Sequence, residues 1–345
     1  MTLKESLLWP LSLPYAAIAR LRARAYREGI LRQRRLHGVV ISVGNLTVGG
    51  TGKTPMVLWI AERLLAEGKS VGILTRGYRG KTFSASSGKS QTTNDSAAIS
   101  TSDEVRLLQS RLENRALFGV GADRYKNGLA LAARGVDWFL LDDGFQHLRL
   151  ARDVDIVLID ASNPFGGGHL LPAGRLREPR TALERADLVV ITRSNHAPAI
   201  ESIVRRHSAA PIFYARTTLA SVYSPSNSQL AASEARSKIL FAFCGIGNPA
   251  AFIADLRDWG FQIAGYKSFP DHHRYTPSDI AAIEKQARET GAAGLICTEK
   301  DRFNLEDAQP SMNLRLCSIS LHIDREDDFW QALMKKTQSG IVETK

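Results

Sequence analysis

The octapeptide Thr47-Val48-Gly49-Gly50-Thr51-Gly52-Lys53-Thr54 constrains this chain more than any other stretch. It follows Val39-Val40-Ile41-Ser42-Val43, an apolar run of strand length, and precedes Met56 to Leu65, whose apolar spacing reads as a helix. Strand, glycine-rich turn, Gly-Lys-Thr and helix form the arrangement in which backbone N–H groups converge on phosphate oxygens. The lysine then reaches the outer phosphates and the threonine hydroxyl ligates Mg²⁺. Thr47 stands where the general pattern has glycine. Residues 47–54 are therefore the expected nucleotide-binding residues, with Thr54 on the metal.

The rest of the chain alternates as such a loop requires. Val71 to Thr75, Leu117 to Val120, Val136 to Leu141, Val154 to Ile159 and Leu188 to Thr192 read as strands, with a helix over Asp123 to Arg134 opened by an acidic cap. The strands are continuous apolar runs, which marks strands covered on both faces. The expected fold is α/β: a P-loop NTPase-like, doubly wound, mostly parallel sheet with ligands at the carboxyl ends of its strands. Arg76-Gly77-Tyr78-Arg79-Gly80 reads as a turn. Residues 82–102, rich in Ser, Thr, Asn and Gly, read as an irregular excursion, and residues 220–237 as a polar boundary loop. A second, smaller α/β lobe follows. It has strands at 239–243, 263–266, 294–298 and 314–319, and helices at 249–259, 277–290 and 327–336. The expected domains are an N-terminal basic helix over 1–36, a nucleotide-binding kinase-type lobe over 37–220, and a second lobe over 238–345 contributing to the active-site cleft.

Three cysteines in apolar runs, with no Cys-x-x-Cys, exclude a zinc or disulfide framework and fit a reducing compartment. The net charge of +10 is uneven: residues 1–36 carry eight Lys and Arg against Glu5 and Glu28. Leu7 to Ala19 is apolar but only 13 residues long and is interrupted by Pro10 and Pro14, short of the ~20 residues of a spanning helix. Its charges mostly follow the apolar stretch, the reverse of a cleaved signal. An apolar wedge followed by a basic helix, with Arg20, Arg24 and Arg27 at helical spacing, suits an anchor on an anionic cytoplasmic leaflet. Without aromatic-basic interleaving, no nucleic-acid partner is expected.

Two clusters could carry chemistry beside the loop. Asp142-Asp143 ends an apolar strand, where an acid in phosphate-loop enzymes holds Mg²⁺. Adjacent acids on an extended strand point to opposite sides, so one of the two is expected on the metal. Phe269-Pro270-Asp271-His272-His273-Arg274-Tyr275-Thr276 places paired histidines at a strand end, suited to acid–base work or phosphate binding, while Asp271 or Thr276 could cap the next helix. Asp103-Glu104 opens a helix running to Arg111, and Arg76, Arg79, Arg175 and Arg177 suit phosphate recognition.

Together these motifs resemble the tetraacyldisaccharide 4′-kinases of lipid A biosynthesis. The matching runs are Ser42 to Pro55, Arg76-Gly77-Tyr78, Asp103-Glu104, Val120 to Arg124, Leu141 to His147, Leu171 to Pro179, Phe243 to Pro249, Phe269 to Thr276 and Thr298 to Asp301. The family looks the same at Thr47. It usually has Gly-Asp-Glu-Pro where this chain has Ser102-Asp103-Glu104-Val105. The resemblance implies ATP- and Mg²⁺-dependent phosphorylation of the 4′-hydroxyl of a lipid-linked glucosamine disaccharide, on the inner face of the bacterial inner membrane, with no obligate protein partner. It implies that Asp103 accepts the hydroxyl proton, that His272 is its partner, and that Asp143, with Asp142 nearby, is the Mg²⁺-side carboxylate. The alternative is a membrane-associated P-loop ATPase switch acting through protein partners. Such switches carry a second lysine just before the Gly-Gly pair, where this chain has Val48.

Overall fold

Uninterrupted apolar strands can be satisfied only if helices cover both faces of the sheet, and the computed structural model shows strands of this kind. It describes residues 3–77, 102–305 and 308–342. The expected turn at 76–80 beyond Gly77, and residues 82–101 of the irregular excursion, lie outside the described residues. The chain forms two compact units. The first is Met1–Ser102, Gln109–Arg216 and His322–Lys345, and the second is Asp103–Leu108 and Thr217–Leu321.

The first unit opens with α1 (Leu3–Arg27), followed by β1 (Val39–Asn45), α2 (Lys53–Ala66) and β2 (Val71–Thr75). Helix α3 (Asp103–Leu112) gives its first turns to the second unit. Then come β3 (Leu117–Val120), α4 (Arg124–Ala132), β4 (Trp138–Asp142), β5 (Val154–Asp160), β6 (Leu188–Thr192), α5 (Pro198–Arg205) and the first residues of β7 (Ile212–Tyr223). The parallel order is β7-β6-β5-β1-β4-β2-β3. Every residue of β1, β2, β4, β5 and β6 is buried. Strand β1 therefore lies between β5 and β4, and the phosphate loop and the acids of β4 emerge side by side.

In the second unit the chain runs through β8 (Gln229–Leu230), α6 (Ala232–Arg236), β9 (Ile239–Cys244), α7 (Pro249–Asp258), β10 (Gln262–Ser268), α8 (Pro277–Glu289), β11 (Gly294–Thr298), α9 (Glu299–Leu305) and β12 (Leu314–Ile323). Strands β10-β9-β11-β12 are parallel, and β8 pairs antiparallel with the end of β7. Two apolar clusters fill this unit, one around Phe243, Ile283, Leu295 and Leu316 and the other around Leu240, Phe252, Leu256 and Ile296.

The last helix, α10 (Glu326–Val342), returns to the first unit and braces the helix behind the phosphate loop. Phe329 meets Trp59 of α2 and Phe213 of β7 edge-to-face at 5.6 and 5.2 Å. The indole N–H of Trp330 donates to Glu67 at 2.7 Å, and Arg63 donates to Glu326 at 2.5 Å. Each such aromatic pair adds about 0.5–1.5 kcal/mol beyond its buried area.

Two local expectations differ from the structure. The N-terminal segment is one continuous helix from Leu3 to Arg27 that runs through Pro10 and Pro14. The two prolines lack N–H donors one turn apart, and the remaining ladder carries the helix past them. The polar stretch 220–237 begins inside β7 and contains β8 and α6. Its serines obscure the end of a half-buried strand, whose Val222 and Tyr223 pair with Leu230 and Gln229.

Candidate active site

The loop after β1 has the backbone its glycines predict. Gly49 and Gly52 adopt φ of 121° and 88°, and Gly52 immediately precedes the first turn of α2. The Thr51 hydroxyl is buried with no hydrogen-bond partner among the described residues. An orphaned hydroxyl just before a helix N-terminus fits an anion nearby. Lys53 Nζ donates to Asn45 Oδ1 at 3.3 Å and lies 3.4 Å from Asp143 Oδ1. Asn45, the last residue of β1, thus positions the lysine, a role the sequence reading did not assign.

The β4 acids diverge as expected of neighbours on a strand. Asp142 is buried and accepts from the Thr75 hydroxyl at 3.2 Å. Asp143, with φ of 50°, turns toward Lys53 and accepts both contacts of Arg177 Nη1, at 2.8 and 2.7 Å. Burial alone would raise the Asp143 pKa, but Lys53, Arg177 and Arg124 outweigh it and hold the carboxyl below its usual range. The turn after it folds over the end of β1: Gly144 N–H donates to Val43 O and the Gln146 amide to Asn45 O. A side chain at Gly44 would come within 2.8 Å of the Phe145 nitrogen, so this approach requires glycine. Behind the acids, buried Arg124 donates to Asp142 O and contacts His147 Nδ1 at 3.2 Å. Burial, then Arg124 and Arg152, push the His147 pKa down to about 4, so this imidazole stays neutral.

The segment carrying Arg175 and Arg177 is strapped to the loop. Val48 N–H donates to Arg175 O, and Arg177 N–H donates to Leu46 O. The Arg175 guanidinium donates back to Val48 O at 3.0 and 3.2 Å. Helix α1 supports the same segment: the Ser12 hydroxyl donates to Leu170 O and the Tyr15 hydroxyl to Arg177 O. Arg76 brings its charge near Arg124.

The second unit gathers the other candidates. His272 Nδ1 donates to Asp103 Oδ1 at 2.7 Å. The same oxygen accepts from Glu104 N–H, and Oδ2 accepts from Asn304 Nδ2 at 3.0 Å. Burial would raise the Asp103 pKa, but the hydrogen bond from His272, the charge of Lys300 and the Asn304 bond lower it overall. The bond to Asp103, working against burial, raises that of His272. His273, adjacent in sequence, faces elsewhere. It stacks on Phe269 with ring centroids 4.6 Å apart and contacts Asp279 at 3.1 Å. Thr276 caps α8 in a reciprocal box with Asp279. The two histidines are therefore separated, one toward Asp103 and one into the support of the next helix.

Asp301 holds this turn in place. It is fully buried and accepts from Gly245 N–H, the Tyr275 hydroxyl, Thr298 N–H and the Thr298 hydroxyl. Gly245 O in turn accepts from His272 N–H, where His272 adopts φ of 62°. A left-handed histidine persists only when its surroundings fix it, and Asp301 fixes both flanking segments. Asn304, Asp301 and Lys300 come from the short helix α9, whose polar sequence gave no helical period to read.

Comparison with known proteins shows the family. A family profile described as tetraacyldisaccharide-1-P 4′-kinase matches residues 4–338. A tetraacyldisaccharide 4′-kinase of Geobacter metallireducens is 46% identical over 308 residues, covering 87% of this chain and 88% of the relative. One from Desulfotalea psychrophila is 38% identical, covering 96% of each chain. Among solved structures, LpxK from Aquifex aeolicus, determined in complex with ATP, superposes with a TM-score of 0.71 and 29% identity, covering 96% of this chain and 99% of that one. The fold is P-loop NTPase-like, and the chain belongs to the tetraacyldisaccharide-1-P 4′-kinase family.

Proposed function

We propose that the chain transfers the γ-phosphoryl group of ATP to the 4′-hydroxyl of a tetraacylated glucosamine disaccharide 1-phosphate in lipid A biosynthesis. The residue assignments are carried by two sets of side chains, one within each unit. One is a phosphate loop whose lysine is held at a strand-end carboxylate; the other is a buried carboxylate bonded to a histidine. Phosphoryl transfer asks the protein for charge neutralisation and positioning, plus a group to orient the acceptor hydroxyl and take its proton. Residues 47–54 bind the nucleotide phosphates, with Lys53 on the transferring group. Asp103 and His272 are the acid–base pair. With Asp103 ionised, the Nδ1 proton of His272 stays on the shared bond.

Thr54, Asp142 and Asp143 would hold Mg²⁺. All three offer hard oxygens, and Asp143 is kept ionised by its cationic neighbours. Among the described residues no group of three or more His, Cys, Asp or Glu could hold a metal. That fits a cation taking most of its ligands from phosphate and water. When bound, the ion supplies further neutralisation of phosphate charge.

The test of the reading is transfer of label from γ-labelled ATP to purified lipid disaccharide in mixed micelles. Label on the 4′ position supports it. ATP hydrolysis alone, or hydrolysis dependent on a protein partner, would return the switch-ATPase reading.

We place the chain peripherally on the cytoplasmic face of the inner membrane, on an anionic surface. None of the described helices is long and apolar enough to cross a membrane. Helix α1 exposes Leu11, Leu13, Ile18 and Leu21 together with Arg20, Arg22, Arg24 and Arg27. That combination suits an interfacial helix. Replacing the four apolar residues by serine is expected to lower partitioning onto anionic phospholipid vesicles by about 10³-fold, because each buried side chain contributes on the order of 1 kcal/mol. Nucleotide binding should be retained. Unchanged partitioning in a sedimentation assay would remove the anchor from the proposal.

A further inference from the structure

Lys300 has no part in the chemistry described so far, yet it lies among three carboxylates of the second unit. Its ammonium lies 3.7 Å from Asp103 Oδ2, 3.5 Å from Glu104 Oε1 and 3.3 Å from Asp271 Oδ1. The three carboxylates come from two separated segments, α3 and the turn before α8, and the side chain of Lys300 is only 16% exposed. We propose that Lys300 is a positioning residue that sets the charge of the Asp103–His272 pair; the proposal rests on the acid–base reading above.

Asp103 and Asp271 lie against one imidazole and both favour a proton on it, and Glu104 adds a third carboxylate beside Lys300. Lys300 is the opposing charge close to all of them. The groups facing the pair are Glu104, Lys300 and Asn304 at Asp103, and Asp271 and Lys300 at His272. A proton acceptor must be empty before it can act. Lys300 stabilises ionised Asp103 and opposes a positive His272, so both effects favour the empty form of the pair. Burial would discharge the lysine itself, but Glu104, Asp103 and Asp271 outweigh it and raise its pKa, so it remains a cation.

The contacts bear this out geometrically: Asp271 Oδ2 lies 3.7 Å from His272 Nε2 while its Oδ1 meets Lys300 at 3.3 Å, so the lysine shares a carboxylate with each ring nitrogen of the histidine.

The sign of the pH effect follows. Activity falls as pH drops through the apparent pKa of the pair. Losing a positive neighbour makes the pair hold its proton more tightly, so the acid limb moves to higher pH. A unit charge at 4–6 Å in a partly exposed site corresponds to a shift on the order of one pH unit. The experiment uses the full chain in mixed micelles and compares kcat/KM against pH for the wild type, Lys300→Met, Lys300→Gln and Lys300→Arg. In parallel, the His272 ring proton is titrated by NMR without substrates.

The expected result has four parts. The acid limb in Lys300→Met and Lys300→Gln rises by about one unit. The rate loss on that limb is about tenfold greater than on the plateau. His272 titrates higher, and Lys300→Arg restores the wild-type limb. A uniform rate loss at every pH, or an unmoved His272 titration in a folded variant, overturns the proposal. If Lys300→Met does not fold, Lys300→Gln carries the comparison. If the wild type transfers no phosphate to the lipid, the function reading fails, and the NMR titration still decides whether Lys300 sets the charge of the pair.

Discussion

Lys53→Ala is expected to lower kcat/KM for phosphoryl transfer by about 10²–10³-fold, the range found when one preorganised charge or donor is removed from a transition state. The lysine starts α2 with its ammonium between Asn45 and Asp143. It is not part of the apolar core, so its loss removes charge without opening a cavity. Asp143 keeps Arg177 as its partner, which holds the strand-end turn in place. Steady-state rates with the lipid acceptor measure the loss, and thermal melting by circular dichroism checks that the fold is retained. A loss of less than tenfold would take Lys53 out of the transfer step.

Asp103→Asn is the second large effect. The amide keeps the shape of the carboxyl and can still bond to His272, but it carries no charge. Transfer is expected to fall by about 10²–10⁴-fold, the usual contribution of a positioned acid–base group. The loss should appear in kcat, because ATP contacts the other unit's loop in this reading and its binding has no need of Asp103. A variant that retained kcat and lost only apparent affinity for the lipid would recast Asp103 as a binding residue.

The phosphate loop was legible because its function is contiguous: eight successive residues carry both the turn and the chemistry. The buried strands were legible for a similar local reason, since continuous apolar runs such as Val154 to Ile159 have few other places to go. The Asp103–His272 bond joins positions 169 apart, and no local pattern reports such a contact. Resemblance to a family suggested the pair. Only the fold separates His272 from His273, because the split depends on a left-handed turn held by Asp301, a residue 29 positions beyond the first histidine. Between Arg175 and Arg177 the sequence offered no choice either. The bridge between Thr47 and Leu176 alternates their sides, sending one guanidinium to Val48 O and the other to Asp143. The path of α1 through two prolines was hidden by their usual meaning as helix breakers.

That helix does two things at once. On its inner side Ser12 and Tyr15 are hydrogen-bonded to the backbone at Leu170 and Arg177, the residue that grips Asp143. On its outer side Leu13 and Ile18 are open. With a rise of about 1.5 Å per residue, the inner and outer contacts lie within about two turns of each other. On the membrane placement proposed above, a bilayer that took hold of Leu13 and Ile18 would fix how far the Arg177 segment stands above the lipid. The first helix would then work as a depth gauge: it would meter the height at which phosphate chemistry can meet a headgroup, and a change in its length or phase would detune catalysis without touching a single catalytic atom.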